Sequence, residues 1–345
     1  MRNNSQKTVD VKIPSFKSSP SKPVKENIII IMGESLREHN LSLNGYARKT
    51  TPYLEKYTQS HNVIFKKAIS GGIATGTSLP LFFNVWSGHN SEEVFLKQNR
   101  CLFKLAKEQG YKTAFISTHG AKSIRYILNS LCPQYIDEVT VSDNSFMGSE
   151  NVSNFYDDYL LEKIEEKNLF QKNTTTPLFL VLHMRGSHSP YNSRYPKEFD
   201  IFHKKETNDD HPQNLVNQYD NSILYSDKII FEILKKIEHS KISASVFFTS
   251  DHGENLGEDN VWGHTKITPW TYSVPFFFTS FNSQNAWMNN FIKKHTEPLL
   301  HIEISQAIAQ LLGYTDSASA EKCPYTVIGG IFGADSAEIP LHCKK

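Results

Sequence analysis

Two carboxylates in this chain stand directly after runs of apolar residues. Glu34 follows NIIIIMG, and Asp251 follows FFTS, with His252 and Glu254 close behind in SDHGENLG. An unpaired carboxylate is costly to bury, so each calls for a cation or a strong hydrogen-bond donor. His188 follows another apolar run, in FLVLHMRGSHSPY, and His264 closes VWGH. A further stretch, SGGIATGTSLPLFF at 70–83, crowds Thr75, Thr77 and Ser78 at the mouth of an apolar segment. It reads as a strand end turning into a helix N-terminus. Gly71 and Gly72 would allow close backbone approach there, and Pro80 suits the first helical turn. Each residue also has an ordinary explanation: Ser, Thr, Asp and Glu cap or flank helices, and histidines are often simply hydrogen-bonded. His183 lies within a strand and reads as structural, and His61, His203 and His239 sit in polar surroundings. Taken together, two carboxylates, an imidazole and a hydroxyl make a donor set for a divalent cation. Zinc suits that set, and manganese suits it less well. Such an ion would make an otherwise weak hydroxyl nucleophile usable near neutral pH.

The elements needed to bring these residues together are legible as alternating strand and helix signals. Buried strands are expected at 27–33, 112–118, 177–184, 243–250 and 274–280, with helices at 102–111, 219–237 and 302–314. On the helix at 219–237, Ile223, Ile230, Leu234 and Ile237 share one face. Continuous apolar strands separated by helices predict an α/β fold with a mostly parallel central sheet sandwiched by helices. Sites in such sheets lie beyond the carboxyl ends of the strands, where the polar clusters fall.

The chain of 345 residues carries a net charge of +1, which argues against a nucleic-acid partner. No run of 18 apolar residues exists to span a membrane. The first 26 residues, rich in Lys, Ser and Pro, lack the apolar core of a signal peptide. They read as a linker (1–26) leading into a single catalytic domain (27–345). Cys101, Cys132, Cys323 and Cys343 match no metal-binding spacing.

Five ordered segments resemble one family. IIIIMGESLREHNLSLNGYARKTTPYLEK, SGGIATGTSLP, LHMRGSHSPYNSRYP, NQYDNSILYSDKII and SDHGENLGEDNVWGH are similar to motifs of the bacterial phosphoethanolamine transferases, within the alkaline phosphatase and sulfatase-like superfamily. The resemblance covers about residues 27–313. It implies that Glu34, Thr75, Asp251 and His252 hold zinc, one ion tightly and a second as an option. Thr75, rather than Thr77 or Ser78, falls on the phosphorylated nucleophile. His188 and His264 match histidines that contact the substrate phosphate or a second metal, and Glu254 an accessory acidic position. Lys122, in STHGAKS, matches a substrate-contacting lysine through a loose alignment. The resemblance further implies a phosphatidylethanolamine donor and an acceptor in lipid A or core oligosaccharide. It implies a domain in the periplasm, anchored to the bacterial inner membrane by N-terminal helices absent from this chain.

The sequence departs from the family at Gly71 and Leu81, where many members carry a disulfide pair flanking the nucleophile. This weakens the lipid A branch relative to other surface acceptors. A phosphoglycerol transferase of the lipoteichoic acid synthase type shares the threonine chemistry and is the main alternative. A true sulfatase needs a C/S-x-P-x-R segment that 75–81 lacks. A non-catalytic relative would be expected to have lost Thr75 or a metal ligand. In an oxidising compartment Cys323 and Cys343 are the expected disulfide pair. Cys101 and Cys132 are the leftover pair, and CLFKLAKEQGY reads as placing Cys101 simply on a buried helix face.

Overall fold

The computed structural model describes residues 25–86, 100–142, 156–172, 174–202, 212–283 and 298–315, with short pieces at 17–18, 292, 325–329 and 335–339. His203, Cys323, Cys343 and most of 1–26 lie outside the described residues.

The core is an eight-stranded sheet: β1 (Asn27–Gly33), β2 (Ile64–Ile69), β3 (Lys112–Ser117), β4 (Glu138–Val141), β5 (Leu178–His183), β6 (Ala244–Ser250), β7 (Ser273–Phe281) and β8 (Leu299–Leu300). Their spatial order is β8-β2-β7-β6-β1-β5-β3-β4. Every pairing is parallel except the two made by β7, which runs antiparallel to both β2 and β6. The sheet is therefore mostly parallel, as the alternating pattern predicts.

Period-2 alternation decides which core each residue joins. Ile28, Ile30 and Met32 of β1 face one apolar cluster while Ile29 and Ile31 face the other, all of them fully buried. Phe179 and Val181 of β5 join the first cluster, and Leu180 and Leu182 the second. Three helices, α2 (Thr75–Phe83), α3 (Leu102–Glu108) and α7 (His301–Leu311), cover the first face. The opposite face is covered by α1 (Pro52–Ser60), α5 (Asp158–Glu166) and α6 (Pro212–Ser240). Each fully buried aliphatic side chain contributes about 1.5–3 kcal/mol, so a strand buried on both faces anchors the domain. The expected face of α6 is confirmed, since Ile223, Ile230, Leu234 and Ile237 are all buried against the sheet. The helix itself is longer than its periodic stretch. From α6, Asp227 accepts the Tyr53 and Leu54 N–H groups at 2.7 and 3.0 Å and so caps α1. Another helix, α4 (Ala121–Asn129), follows β3 and adds Ile124 to the first cluster.

Three local expectations are corrected. Pro80 is the sixth residue of α2, past the first turn, so its missing N–H removes one helical bond to the Gly76 carbonyl. Gly72 does not open space for a ligand. A Cβ there would lie 2.5 Å from Thr77 Oγ1, so the glycine lets the chain pack against its own following helix. The third concerns Cys101, which is disulfide-bonded to Cys132 across a separation of 31 residues and joins the start of α3 to the segment after α4.

Candidate metal and nucleophile site

The parallel register brings the strand ends side by side. Met32 pairs with both His183 and Thr249, Gly33 with Ser250, and Ser117 with His183. Backbone bonding continues past the strands, Asp251 N donating to Gly33 O at 3.0 Å and Ser187 N to Glu34 O at 2.9 Å. Glu34 and Asp251 are thereby held next to each other, far apart as they are in the chain. Two backbone features make room. Ser35 adopts a left-handed φ of 56°, and its hydroxyl donates to Glu34 Oε1 at 2.7 Å. Gly186, at φ 51°, passes so close that a Cβ would sit 2.7 Å from the Glu34 carbonyl oxygen.

Glu34, Asp251 and His252 are fully buried and form a potential three-donor metal cluster. His252 Nε2 lies 3.3 Å from Glu34 Oε1 and 3.4 Å from Asp251 Oδ2. The other His252 nitrogen, Nδ1, is 2.8 Å from the Gly253 carbonyl and donates to it, so Nε2 is the nitrogen left for a ligand. Asp251 Oδ1 accepts from the Ser35 and His252 N–H groups, while the buried Oδ2 has no hydrogen-bond partner. Thr75 begins α2 and makes no capping bond. Its Oγ1 donates to Glu34 Oε2 at 2.9 Å and lies 3.5 Å from His252 Nε2. Thr77 instead bonds the Ala74 carbonyl, and Ser78 the Asp251 carbonyl, so both hydroxyls are engaged structurally.

The electrostatics are those of an anion-rich pocket. Burial and the nearby Glu34 push the Asp251 carboxyl up to about 8. In Glu34, burial is outweighed by the hydrogen bond and charge of His252, which hold it well below the usual carboxylate range. Burial opposes charging His252, but Asp251 and Glu34 win and raise it to about 10. A divalent cation relieves this arrangement: it needs two carboxylates, a neutral imidazole and a hydroxyl, and it gives the orphaned Asp251 oxygen a partner. The residues present fit a metal.

The remaining expected residues ring this centre unevenly. His264 packs against His252 with ring centroids 4.3 Å apart, and its Nδ1 meets the buried Glu254 Oε2 at 2.8 Å. His188 stands 6.1 Å from His264, ring to ring, with its Nδ1 on the Ser189 carbonyl at 2.6 Å. His252, Glu254 and His264 form a second cluster with metal-ligating geometry. Lys122 is exposed on the first turn of α4, and no hydrogen bond or ion pair joins it to the centre among the described residues. His119, three residues earlier, was missed by sequence reasoning although it lies in the same STHGAKS stretch. Its Nε2 is 3.7 Å from Glu34 Oε2, and its ring stacks on His183 at 4.6 Å. Burial, reinforced by His183, holds His119 well below its usual value, and burial alone lowers His183 to about 4. The usable signal was position, since His119 follows the β3 end just as Glu34 follows that of β1. Of the surface histidines, His239 is exposed, whereas His61 stacks on Tyr57 and meets Glu238.

Phosphoethanolamine transferase EptA of Escherichia coli K12 is 30% identical over 247 residues, covering 70% of this chain and 43% of that protein. The Kdo(2)-lipid A phosphoethanolamine 7''-transferase of Salmonella typhimurium is 26% identical over 304 residues, covering 84% of this chain and 52% of that protein. The chain thus spans about half the length of the curated relatives it matches. Among solved structures, the C-terminal periplasmic domain of phosphoethanolamine transferase EptC from Campylobacter jejuni superposes with a TM-score of 0.68 at 25% identity, covering 85% of this chain and 91% of that one. The sulfatase family model matches residues 26–314, and the chain belongs to that family.

Proposed function

We propose that this chain is the catalytic domain of a phosphoethanolamine transferase. It would move phosphoethanolamine from phosphatidylethanolamine to a hydroxyl of a cell-surface glycolipid, in lipid A or core oligosaccharide. One observation carries the reading: Thr75 Oγ1, at the N-terminus of α2, is hydrogen-bonded into the buried Glu34–Asp251–His252 set. A zinc ion held by Glu34, Thr75, Asp251 and His252 would lower the pKa of the threonine hydroxyl and offset charge on the transferring phosphoryl group.

In the first step Thr75 Oγ releases its proton to bulk water and bonds to phosphorus, and the bond from phosphorus to the diacylglycerol oxygen breaks. His188 or His264 supplies the proton that the departing oxygen needs. In the second step the acceptor hydroxyl bonds to phosphorus, its proton returns to the histidine, and the Thr75 oxygen leaves and takes a proton back from water. The N-terminus of α2, where Thr75 stands, would favour developing negative charge through the helix dipole. The relatives named for phosphoethanolamine transfer, one of them to Kdo(2)-lipid A, support the donor group and the acceptor class.

Residues 1–26 are read as the tether and 27–345 as the catalytic domain. Among the described residues no helix is long and apolar enough to cross a membrane. The Cys101–Cys132 disulfide supports an oxidising compartment, in keeping with the periplasmic domain of the C. jejuni relative and with anchorage at the inner membrane. The test is incubation with vesicles of phosphatidylethanolamine or phosphatidylglycerol, measuring diacylglycerol release and mapping the adduct by mass. Release from phosphatidylethanolamine with phosphoethanolamine on Thr75 is expected. Consumption of phosphatidylglycerol alone would instead assign phosphoglycerol transfer.

A further inference from the structure

Glu254, the accessory acidic position, is 1% exposed and both of its oxygens are engaged. Oε1 accepts a 2.7 Å hydrogen bond from the Tyr191 hydroxyl, and Oε2 meets His264 Nδ1 at 2.8 Å. A carboxylate only accepts, so the proton between Glu254 and His264 belongs on Nδ1. That leaves Nε2 as the ring nitrogen able to receive or deliver a proton. His264 itself is 29% exposed, on the rim above the buried carboxylate.

The other end of this chain of contacts is equally fixed. Tyr191, 5% exposed, sets its ring edge-on to Tyr219 with centroids 5.2 Å apart. Tyr219 OH donates to the Ser35 carbonyl at 2.6 Å and accepts from Arg37 N at 3.0 Å, which ties the tyrosine pair to the segment that carries Glu34. Arg37 also donates to the Glu254 carbonyl at 3.1 Å. Burial and the Glu254 carboxylate both push the Tyr191 phenol upward, so it stays a donor.

We infer that Tyr191 and Glu254 are positioning residues for His264: the line Tyr191–Glu254–His264 fixes the tautomer and orientation of a histidine that works on the transferred group, and neither Glu254 nor Tyr191 touches that group. This rests on the proposed role of His264 in transfer. It parallels the way a carboxylate orients a histidine in other proton-transferring and metal-binding sites.

The experiment pairs a substrate-free measurement with a kinetic cycle on the full chain. Nitrogen-15 NMR of histidine-labelled protein at one fixed neutral pH is expected to find His264 as the Nδ1–H tautomer in the wild type. The bias should be lost in Glu254→Ala, with elemental analysis giving unchanged metal content in both. In the transfer assay Glu254→Ala should lower kcat by about 10- to 100-fold, and Tyr191→Phe by about fivefold, with KM for the donor within about twofold. The decisive arm repeats both changes in a His264→Ala background, where each should cost less than about twofold more. Multiplying losses there, or loss of a bound ion with Glu254→Ala, would make Glu254 a direct ligand and overturn the inference. So would an Nε2–H tautomer in the wild type. Should Glu254→Ala fail to fold, Tyr191→Phe carries the same tautomer and background comparisons. If even the wild type transfers nothing, the proposed function fails and the tautomer measurement still decides the positioning.

Discussion

Thr75 Oγ1 donates a 2.9 Å hydrogen bond to Glu34 Oε2 across 41 residues of sequence, and it makes no bond to the helix it begins. A capping threonine would face its own backbone; this one faces a buried carboxylate. Thr75→Ala should therefore abolish transfer while changing the melting temperature little and leaving most of the metal on Glu34, Asp251 and His252. Thr75→Ser should keep partial activity, because a primary hydroxyl reaches the same carboxylate. His188→Ala and His264→Ala should lower turnover by about 100- to 10,000-fold yet still allow an adduct to be trapped on Thr75. An active Thr75→Ala enzyme, or an adduct mapped to Thr77 or Ser78, refutes the assignment.

The orphaned Asp251 Oδ2 predicts metal dependence in the folded protein itself. Gently purified protein should carry about one tightly held zinc, and Asp251→Ala should lose it. Chelation should lower the melting temperature of the wild type but not of Asp251→Ala, since removing the ion leaves two buried carboxylates facing each other. Elemental analysis without any transition metal would exclude the site.

The Cys101–Cys132 link closes a segment of 31 residues. In the chain-entropy account such a loop is worth about 3.7 kcal/mol. The double variant Cys101→Ala, Cys132→Ala should unfold at lower urea by roughly that amount. Neither cysteine of the wild type should react with a thiol reagent in unreduced, denatured protein. Equal stability of variant and wild type would count against the link.

His301 gives a pH dependence whose sign follows from burial. It is 2% exposed, its Nε2 lies 3.1 Å from Thr249 Oγ1, and burial lowers its pKa to about 3. The unfolded chain binds a proton there near pH 6.5 and the folded chain does not, so stability is unaffected above that pH and falls as pH drops toward 3. Between pH 6.5 and 5 the cost approaches about 2 kcal/mol. His301→Gln should remove that part of the slope in denaturant titrations at pH 7 and pH 5, and an unchanged slope would locate the acid sensitivity elsewhere.

The strands were legible because burial on both faces leaves an unmistakable apolar run, as in β1 and β5. Their carboxyl ends then pointed to Glu34, Asp251 and His252 without any structure. Other features turn on contacts between distant segments. His119 lies two residues past its strand, in a stretch where Lys122 was the more conspicuous charge, and the β3–β5 and β5–β1 pairings together bring it to Glu34. The order of the strands and the antiparallel course of β7 likewise leave no local trace. Cys101 and Cys132 join because α3 and the segment after α4 pack against the same sheet face, which spacing along the chain does not encode. Pro80 misled for a different reason: a single proline inside a helix costs one hydrogen bond, and tight packing of Leu79, Phe82 and Phe83 outweighs that.

The pairing of β1 with β6 has a consequence for the order in which the protein is made. Ser35 N reaches Asp251 Oδ1 across 216 residues, so the two halves of the metal cradle are synthesised far apart in time. When Glu34 emerges, its strand has no neighbour on that side, and the ligands that complete the set are still to be translated. A nascent chain stalled before residue 251 contains Glu34 and Thr75 but lacks the Asp251–His252 half of this donor set. Capture of an ion by this set would thus follow translation of β6, and a loaded site would report that β6 has docked beside β1.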